Sequence, residues 1–239
     1  TEQFSLARKT MNNLSEFIDL NYNICITHGN GPQVGDALLR MDLTSETVPP
    51  LPLGICVANT QGQIGYMVQQ TLQNKLREKS VDREVVTLVT QVIVDKNDQS
   101  INNPTKFIGP RYTKSEIEKF ATKLGWSIKE QEPGSWRRVV PSPMPEFIMH
   151  GKSIKALVDR GTIVIAFGGG GIPVFNNKDN KIEGLDAVID KDFSAAKMGR
   201  IIRAQELWII SDIDYLYRNF GKEDASPIKQ INSKELNAL

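Results

Sequence analysis

The chain has 239 residues, of which 40% are hydrophobic and 24% charged, with a formal net charge of +1. That length suits one large α/β domain, or a domain carrying a smaller subdomain, and the near-average composition suggests neither disorder nor a membrane class. The near-zero charge excludes a global field for nucleic acid or an anionic membrane surface, so any anion site must be local.

Leu6, Met11, Leu14, Phe17 and Ile18 recur at roughly helical spacing, so the chain opens on a helix. The break at Asn21, Tyr22 and Asn23 leads into Ile24-Cys25-Ile26-Thr27, a short buried strand. A second helix is expected over residues 60–79, and residues 85–94 (VVTLVTQVIV) form the most strand-like segment of the chain. Between residues 95 and 145 the pattern weakens into polar and turn residues with six prolines and one helix, over 114–124, which predicts an inserted subdomain. Alternation returns with a helix over 154–159, a strand over 162–167, a helix over 193–204 and a strand over 207–211. Parallel strands joined by crossover helices follow from that order. Cys25 and Cys56 both sit in apolar runs, where a small buried thiol is expected and a disulfide framework is not. No run approaches the ~20 apolar residues of a membrane span, and TEQFSLARK lacks a signal-peptide core, so the expected compartment is the cytoplasm.

Strand 24–27 runs directly into Gly29, Asn30 and Gly31, flexible backbone at the carboxyl end of a strand, where open α/β sheets bind ligands. Glycines there let backbone N–H groups approach an anion, and the following helix N-terminus adds partial positive charge. A tight turn alone would also use them. Four consecutive glycines, Gly168, Gly169, Gly170 and Gly171, follow strand 162–167; their conformational entropy costs about 1 kcal/mol each in an ordered element, which argues for an anion-cradling role. Neither loop contains Gly-x-x-x-x-Gly-Lys-Ser/Thr or Gly-x-Gly-x-x-Gly, so the common P-loop and the dinucleotide fingerprint are disfavoured. Lys106 and Lys191 stand at turn-like places and are candidates to neutralise a migrating phosphoryl group; Lys191 is flanked by Asp190 and Asp192 just before a helix, where a carboxylate can cap the backbone and orient an ammonium. His28 and His150 are too isolated for a zinc set or a triad, and no metal-ligating set is predicted. Arg137 and Arg138 could bind an anion or face water.

Taken together, the blocks ITHGNGPQVG, VANTQGQIGYMVQQ, TQVIVDKND, NPTKFIGPRY, SWRRVVPSPMPEFI, GGGGIPV, DAVIDKDFSAAKM and ISDIDYLYRNFGK resemble the carbamate kinases of the amino acid kinase family, in order and almost end to end. The resemblance implies a three-layer α/β/α sandwich around a mainly parallel sheet, one domain over residues 1–239, with residues 95–145 as a small protruding lid. It implies reversible phosphoryl transfer between ATP and carbamate, giving ADP and carbamoyl phosphate with Mg2+, in cytoplasmic homodimers serving arginine or related nitrogen catabolism. Carried over by motif, Gly29, Asn30 and Gly31 form the substrate-side loop and Gly168 to Gly171 the second wall. Lys106 reaches the transferring phosphate, Lys191 stabilises its charge, and Asp192 holds the lysines. Ser211, Asp212, Tyr215, Asn219 and Lys222 resemble the nucleotide side, with Lys191 shared.

Family members begin with a strand ending in a Gly-Gly-Asn-Ala loop and end with a glycine-serine-methionine turn and a further phosphate-contacting lysine. Neither occurs in these 239 residues, and the expectation is that the encoded protein carries both. Gly54 stands where relatives often have Asp. Two competing readings are a catalytically inactive homologue that binds nucleotide or carbamoyl phosphate, and a kinase for a carboxylate such as acetylglutamate or aspartate. Against the second stands the 95–145 block, which resembles the carbamate kinase subdomain.

Overall fold

In the computed structural model, which describes residues 2–211 and 213–236, the chain opens with α1 (Glu2–Asn13), α2 (Ser15–Asp19), β1 (Cys25–Ile26), α3 (Gly31–Thr44), α4 (Leu53–Glu78), β2 (Val85–Leu88) and β3 (Gln91–Val94). The insert follows as α5 (Gln99–Asn102), β4 (Lys106–Tyr112), α6 (Lys114–Leu124), β5 (Ser127–Glu132) and β6 (Ser135–Val140). The chain then returns through β7 (Pro145–Ile148), α7 (Gly151–Asp159), β8 (Ile163–Ala166), β9 (Ile172–Asn176), β10 (Ile182–Gly184) and α8 (Lys191–Ile202). These elements form one compact unit, Thr1–Ala204; a second unit, Gln205–Leu239, holds β11 (Leu216–Arg218), β12 (Ser226–Ile228) and α9 (Ser233–Leu236).

The layering of the first unit is readable in β8. Its four side chains are fully buried because both faces are covered, as expected of a parallel strand between two helical layers. Val164 and Ala166 pack with Ile154, Val158 and Met198 from α7 and α8, whereas Ile163 and Ile165 pack with Met11, Val68 and Leu72 from α1 and α4. Strand periodicity sends alternate residues to opposite faces, so one tetrapeptide joins both layers of the α/β/α sandwich. Each fully buried Ile or Val contributes about 1.5–3 kcal/mol. β8 pairs in parallel with β1 and β2, and β3 pairs in parallel with β9; β7 and β10 add antiparallel edges.

The expected single strand over 85–94 is two strands. Leu88 pairs with Ala166 and Gln91 with Ile172, so two residues on one chain face five on the other, the five being Phe167 and the four glycines. No continuous ladder can absorb that mismatch. The buried Gln61 of α4 takes the place of the missing rungs: its Nε2 donates to the Thr90 carbonyl at 3.2 Å, and its Oε1 accepts from the Thr90 N–H at 2.8 Å. α4 also begins before the expected residue 60, at Leu53, after Pro52. It packs directly on β2, because a Cβ at Gly65 would lie 2.2 Å from the Thr87 methyl.

The insert is more regular than its composition suggests. β4, β6 and β5 form an antiparallel sheet, and α6 lies at its side, opened by a Thr113/Glu116 capping box and closed by a left-handed Gly125. Ile108 and Val140 root it in a buried cluster with Val34, Leu38, Leu53 and Val57 of α3 and α4. Lys106 is therefore the first residue of a strand, and not a turn residue. Cys56 is buried and Cys25 partly so, both as free thiols, and burial pushes the Cys25 thiol up to about 12.

The expectation of a strand over 207–211 fails. Leu207, Trp208, Ile209 and Ile210 are exposed and belong to none of the sheets among the described residues. An apolar run becomes a strand only where a neighbour supplies the ladder. The regular pairing of the second unit is the β11–β12 hairpin, with Leu216 opposite Ile228. No helix among the described residues is long and apolar enough to cross a membrane.

Candidate active site

Three segments of the first unit meet at the carboxyl ends of β1 and β8. β8 leaves the sheet through Phe167, held at φ +67, a left-handed conformation that a bulky side chain adopts only where its surroundings impose it. The Phe167 side chain is buried and its N–H donates to the Thr90 hydroxyl at 3.2 Å. Gly169 and Gly171 continue at φ +64 and +96. The whole glycine run is hemmed in: a Cβ would lie 2.7 Å from Gln61 at Gly168, 2.6 Å from Asn30 at Gly169, 2.4 Å from the Ile189 carbonyl oxygen at Gly170, and 2.6 Å from Val92 at Gly171. The close packing supplies a structural reason for each glycine.

The β1 loop lies against this wall. The Gly169 N–H donates to the His28 carbonyl at 3.0 Å. Asn30, 6% exposed, precedes the first residue of α3 but does not cap it; its side chain turns inward, and Nδ2 donates to Thr60 Oγ1 at 2.9 Å. Thr60 passes the chain of bonds on to the Val57 carbonyl at 2.8 Å. Gly29 and Gly31 are unobstructed by comparison, with only the Lys191 side chain 3.8 Å from a Cβ at Gly29 and nothing within 4 Å at Gly31. His28 Nδ1 lies 3.0 Å from the Gly29 carbonyl, which can only accept, so Nδ1 carries the proton and Nε2 is a bare acceptor. Burial lowers the His28 pKa, disfavouring the charged ring, and the Gly29 hydrogen bond opposes this.

The third segment is the start of α8. Asp190 caps the helix, its Oδ1 accepting from the Asp192 N–H at 2.9 Å, and its Oδ2 accepts from Lys106 Nζ at 3.0 Å, from 84 residues away in the chain. Lys191 Nζ stands 3.3 Å from Asp192 Oδ1. The buried Ser194 hydroxyl donates to the Gly170 carbonyl at 2.7 Å and fastens α8 to the glycine wall. Burial pushes the Asp190 carboxyl up, but the Asp192 N–H, the Lys106 hydrogen bond and the charges of Lys106 and Lys191 outweigh it and bring the pKa below the ordinary range. The expected lysine-holding role is thus divided: among the described contacts Asp192 meets Lys191, and Asp190 meets Lys106.

Lys106, Lys191, Asp192, Gly29, Asn30, Gly31 and Gly168 to Gly171 are therefore gathered around the Asp190 turn. Sequence reading placed Asp190 beside Lys191 only as one of two carboxylates able to cap the helix or orient an ammonium, and assigned no role to Thr60 or Gln61. A signal was present for Asp190, an acid one residue before a helix, and for the Thr60-Gln61 pair only as part of the VANTQGQ block. Ser211, Tyr215, Asn219 and Lys222 belong to the second unit, where Asn219, at φ +50, donates to Asp224 at 2.6 Å and its carbonyl accepts from the Lys222 N–H at 3.0 Å. Asp212 lies outside the described residues. Two cations and two carboxylates beside unobstructed backbone suit the binding of an anionic group whose charge changes during reaction.

Comparison with known proteins agrees with that chemistry. The model of the amino acid kinase family matches residues 2–238. Carbamate kinase of Pyrococcus furiosus is 43% identical over 98% of this chain and 75% of its own length, and carbamate kinase 2 of Staphylococcus epidermidis is 44% identical over 98% and 76%. Among solved structures, carbamate kinase from Giardia lamblia bound to AMP-PNP superposes with a TM-score of 0.81 at 35% identity, covering 93% of this chain and 70% of that one. With the fold, the paired glycine turns and near-complete coverage in agreement, the chain belongs to the amino acid kinase family and, within it, to the carbamate kinases.

Proposed function

We propose that this chain catalyses reversible phosphoryl transfer between ATP and carbamate, yielding ADP and carbamoyl phosphate. The observation that carries the reading is the meeting of Lys106 and Lys191 on the Asp190 turn, beside Gly29 and the glycine wall. In the forward direction a carbamate oxygen attacks the γ-phosphorus and the bond to the β,γ-bridging oxygen breaks, so ADP leaves with that electron pair. No proton needs to move, and the protein's task is positioning and charge neutralisation. Gly29, Asn30 and Gly31 bind the carbamoyl end. Lys106 and Lys191 neutralise the equatorial oxygens, while Asp190 and Asp192 hold and aim the two ammonium groups. The nucleotide side is formed with Ser211, Asp212, Tyr215, Asn219 and Lys222.

Mg2+ enters with the nucleotide. The described residues contain no cluster of three or more His, Cys, Asp or Glu side chains able to hold an ion, and the two carboxylates at the site are paired with lysines. The nucleotide phosphates would be its main ligands, and the ion would offset their charge. The insert acts as a lid that carries Lys106 in and excludes water from carbamate, which is unstable in solution. The enzyme works in the cytoplasm as a homodimer, in arginine or related nitrogen catabolism.

The test is a coupled assay of ATP formation from ADP and carbamoyl phosphate by the gene product, with Lys191→Ala alongside. The wild type should turn over, and the variant should lose about a hundredfold in kcat with unchanged thermal unfolding. A wild type without ATP formation, or a variant with near-normal turnover, sinks the reading.

A further inference from the structure

Between β10 and α8 the chain runs as an irregular strap over residues 185–190, whose residues alternate between two partners. Ala187 and Ile189 are 0% and 1% exposed, with Ile189 inside the core shared by β3, β8, α7 and α8. Asp186, Val188 and Asp190 face the insert instead. Arg138 of β6 donates to Asp186 Oδ2 at 2.5 Å, the Val188 N–H donates to the Pro141 carbonyl at 3.0 Å, and Lys106 of β4 donates to Asp190 Oδ2 at 3.0 Å. Three attachments at i, i+2 and i+4 therefore stitch the base of the insert to a strap whose other face is locked in the body.

Arg138 is the fixed end of this seam. Its side chain is 12% exposed, and its guanidinium lies 5.0 Å from the centre of the Trp126 ring. Arg138 stands opposite Ile108 in the β4–β6 ladder, one pleat from the Lys106–Val140 pair. A shift of Arg138 along the strap would therefore move Lys106 with it. The Lys106 end is looser, at 41% exposure, as a group that must exchange a carboxylate for a substrate oxygen requires.

We propose that Asp186 is a positioning residue, which by holding Arg138 sets the insert so that Lys106 stands over the Asp190–Lys191 turn. The proposal rests on the phosphoryl-transfer reading above and adds a residue that touches neither substrate nor the reacting lysines. Asp186 itself is 57% exposed, so the ion pair adds little to stability, and its effect is geometric.

The experiment compares Asp186→Asn in the wild-type background and in Lys106→Ala, using the coupled assay on the full-length gene product. Asp186→Asn alone should lower kcat by about tenfold or more, as small misplacements of a reacting group do, with the KM for ADP and the thermal unfolding midpoint little changed. In the Lys106→Ala background the same substitution should cause no further loss, because its effect runs through Lys106. Wild-type kcat in Asp186→Asn, or full multiplication of the two losses, overturns the proposal. Should Asp186→Asn fail to fold, Arg138→Gln, which removes the guanidinium from Asp186 as well as from the Trp126 face, carries the same expectations. Hydrogen exchange separates this proposal from the activity reading: the amides of residues 106–112 should lose protection in Asp186→Asn whether or not the wild type makes ATP, and unchanged protection rejects the strap.

Discussion

The two glycine turns at the carboxyl ends of β1 and β8 look alike in sequence and differ in what surrounds them. At Gly170 a methyl group would meet backbone, the Ile189 carbonyl, at 2.4 Å, whereas at Gly31 it would meet nothing within 4 Å. The wall loop is a packing solution, wedged between Gln61, Asn30, Val92 and the strap. Its glycines are demanded by the protein itself, and Ser194 fastens it further. The loop at Gly29 and Gly31 has no such demand, and under the proposed function its glycines admit close approach by a ligand. Glycine content alone therefore does not mark a binding backbone, since the richer run carries the heavier structural duty.

The sharpest way to break this comparison is Gly170→Ala. Backbone cannot step aside as a flexible side chain can, so the variant should lose about 3 kcal/mol or more of stability or fail to fold, measured by denaturant unfolding. A stable Gly170→Ala would mean that the wall is slack.

A smaller effect tests the charge at the strap's end. Asp190 has a folded pKa below its unfolded one, so its contribution to stability is fully present above the ordinary aspartate range and is lost as pH falls through the lowered value. The pair is about one-third exposed, which limits this contribution to about 1 kcal/mol or less. Asp190→Asn should remove that part of the acid limb when unfolding is followed from neutral pH downwards; an identical pH profile would show that Lys106 and the Asp192 N–H do not hold the carboxylate.

The smallest expected change in stability is that of Gly31→Ala, at the first position of α3, within about 0.5 kcal/mol of wild type. Its KM for carbamoyl phosphate should nevertheless rise several-fold if an approaching ligand uses that space. Loss of stability without a change in KM would invert the roles assigned to the two loops.

Much of this architecture was legible in the residues. The 3.6-residue period of α6 and the apolar run of β8 stand out because each element buries one face or both against partners that any α/β fold supplies. The insert was seen as a break in alternation, yet its strands were missed, since Ser127–Glu132 is SIKEQE, a polar segment that is a strand only through pairing with β6. The opposite error occurred at residues 207–211, which carry a strand's apolar pattern and form none. Both misses have one cause, because a strand is defined by its neighbour.

The same division holds for the site. Local signals in this sequence determined the two glycine turns, the acid-flanked Lys191 at a helix start and a lysine in the insert, since backbone freedom, capping and charge act within a few residues. Only the tertiary structure decided that Lys106 answers to Asp190, that Asn30 turns in towards Thr60, and that Gln61 replaces the rungs missing between β2 and β3. Those contacts join residues 29, 30 and 84 positions apart, and hydrogen bonds and ion pairs depend on distance in space, which no local pattern records.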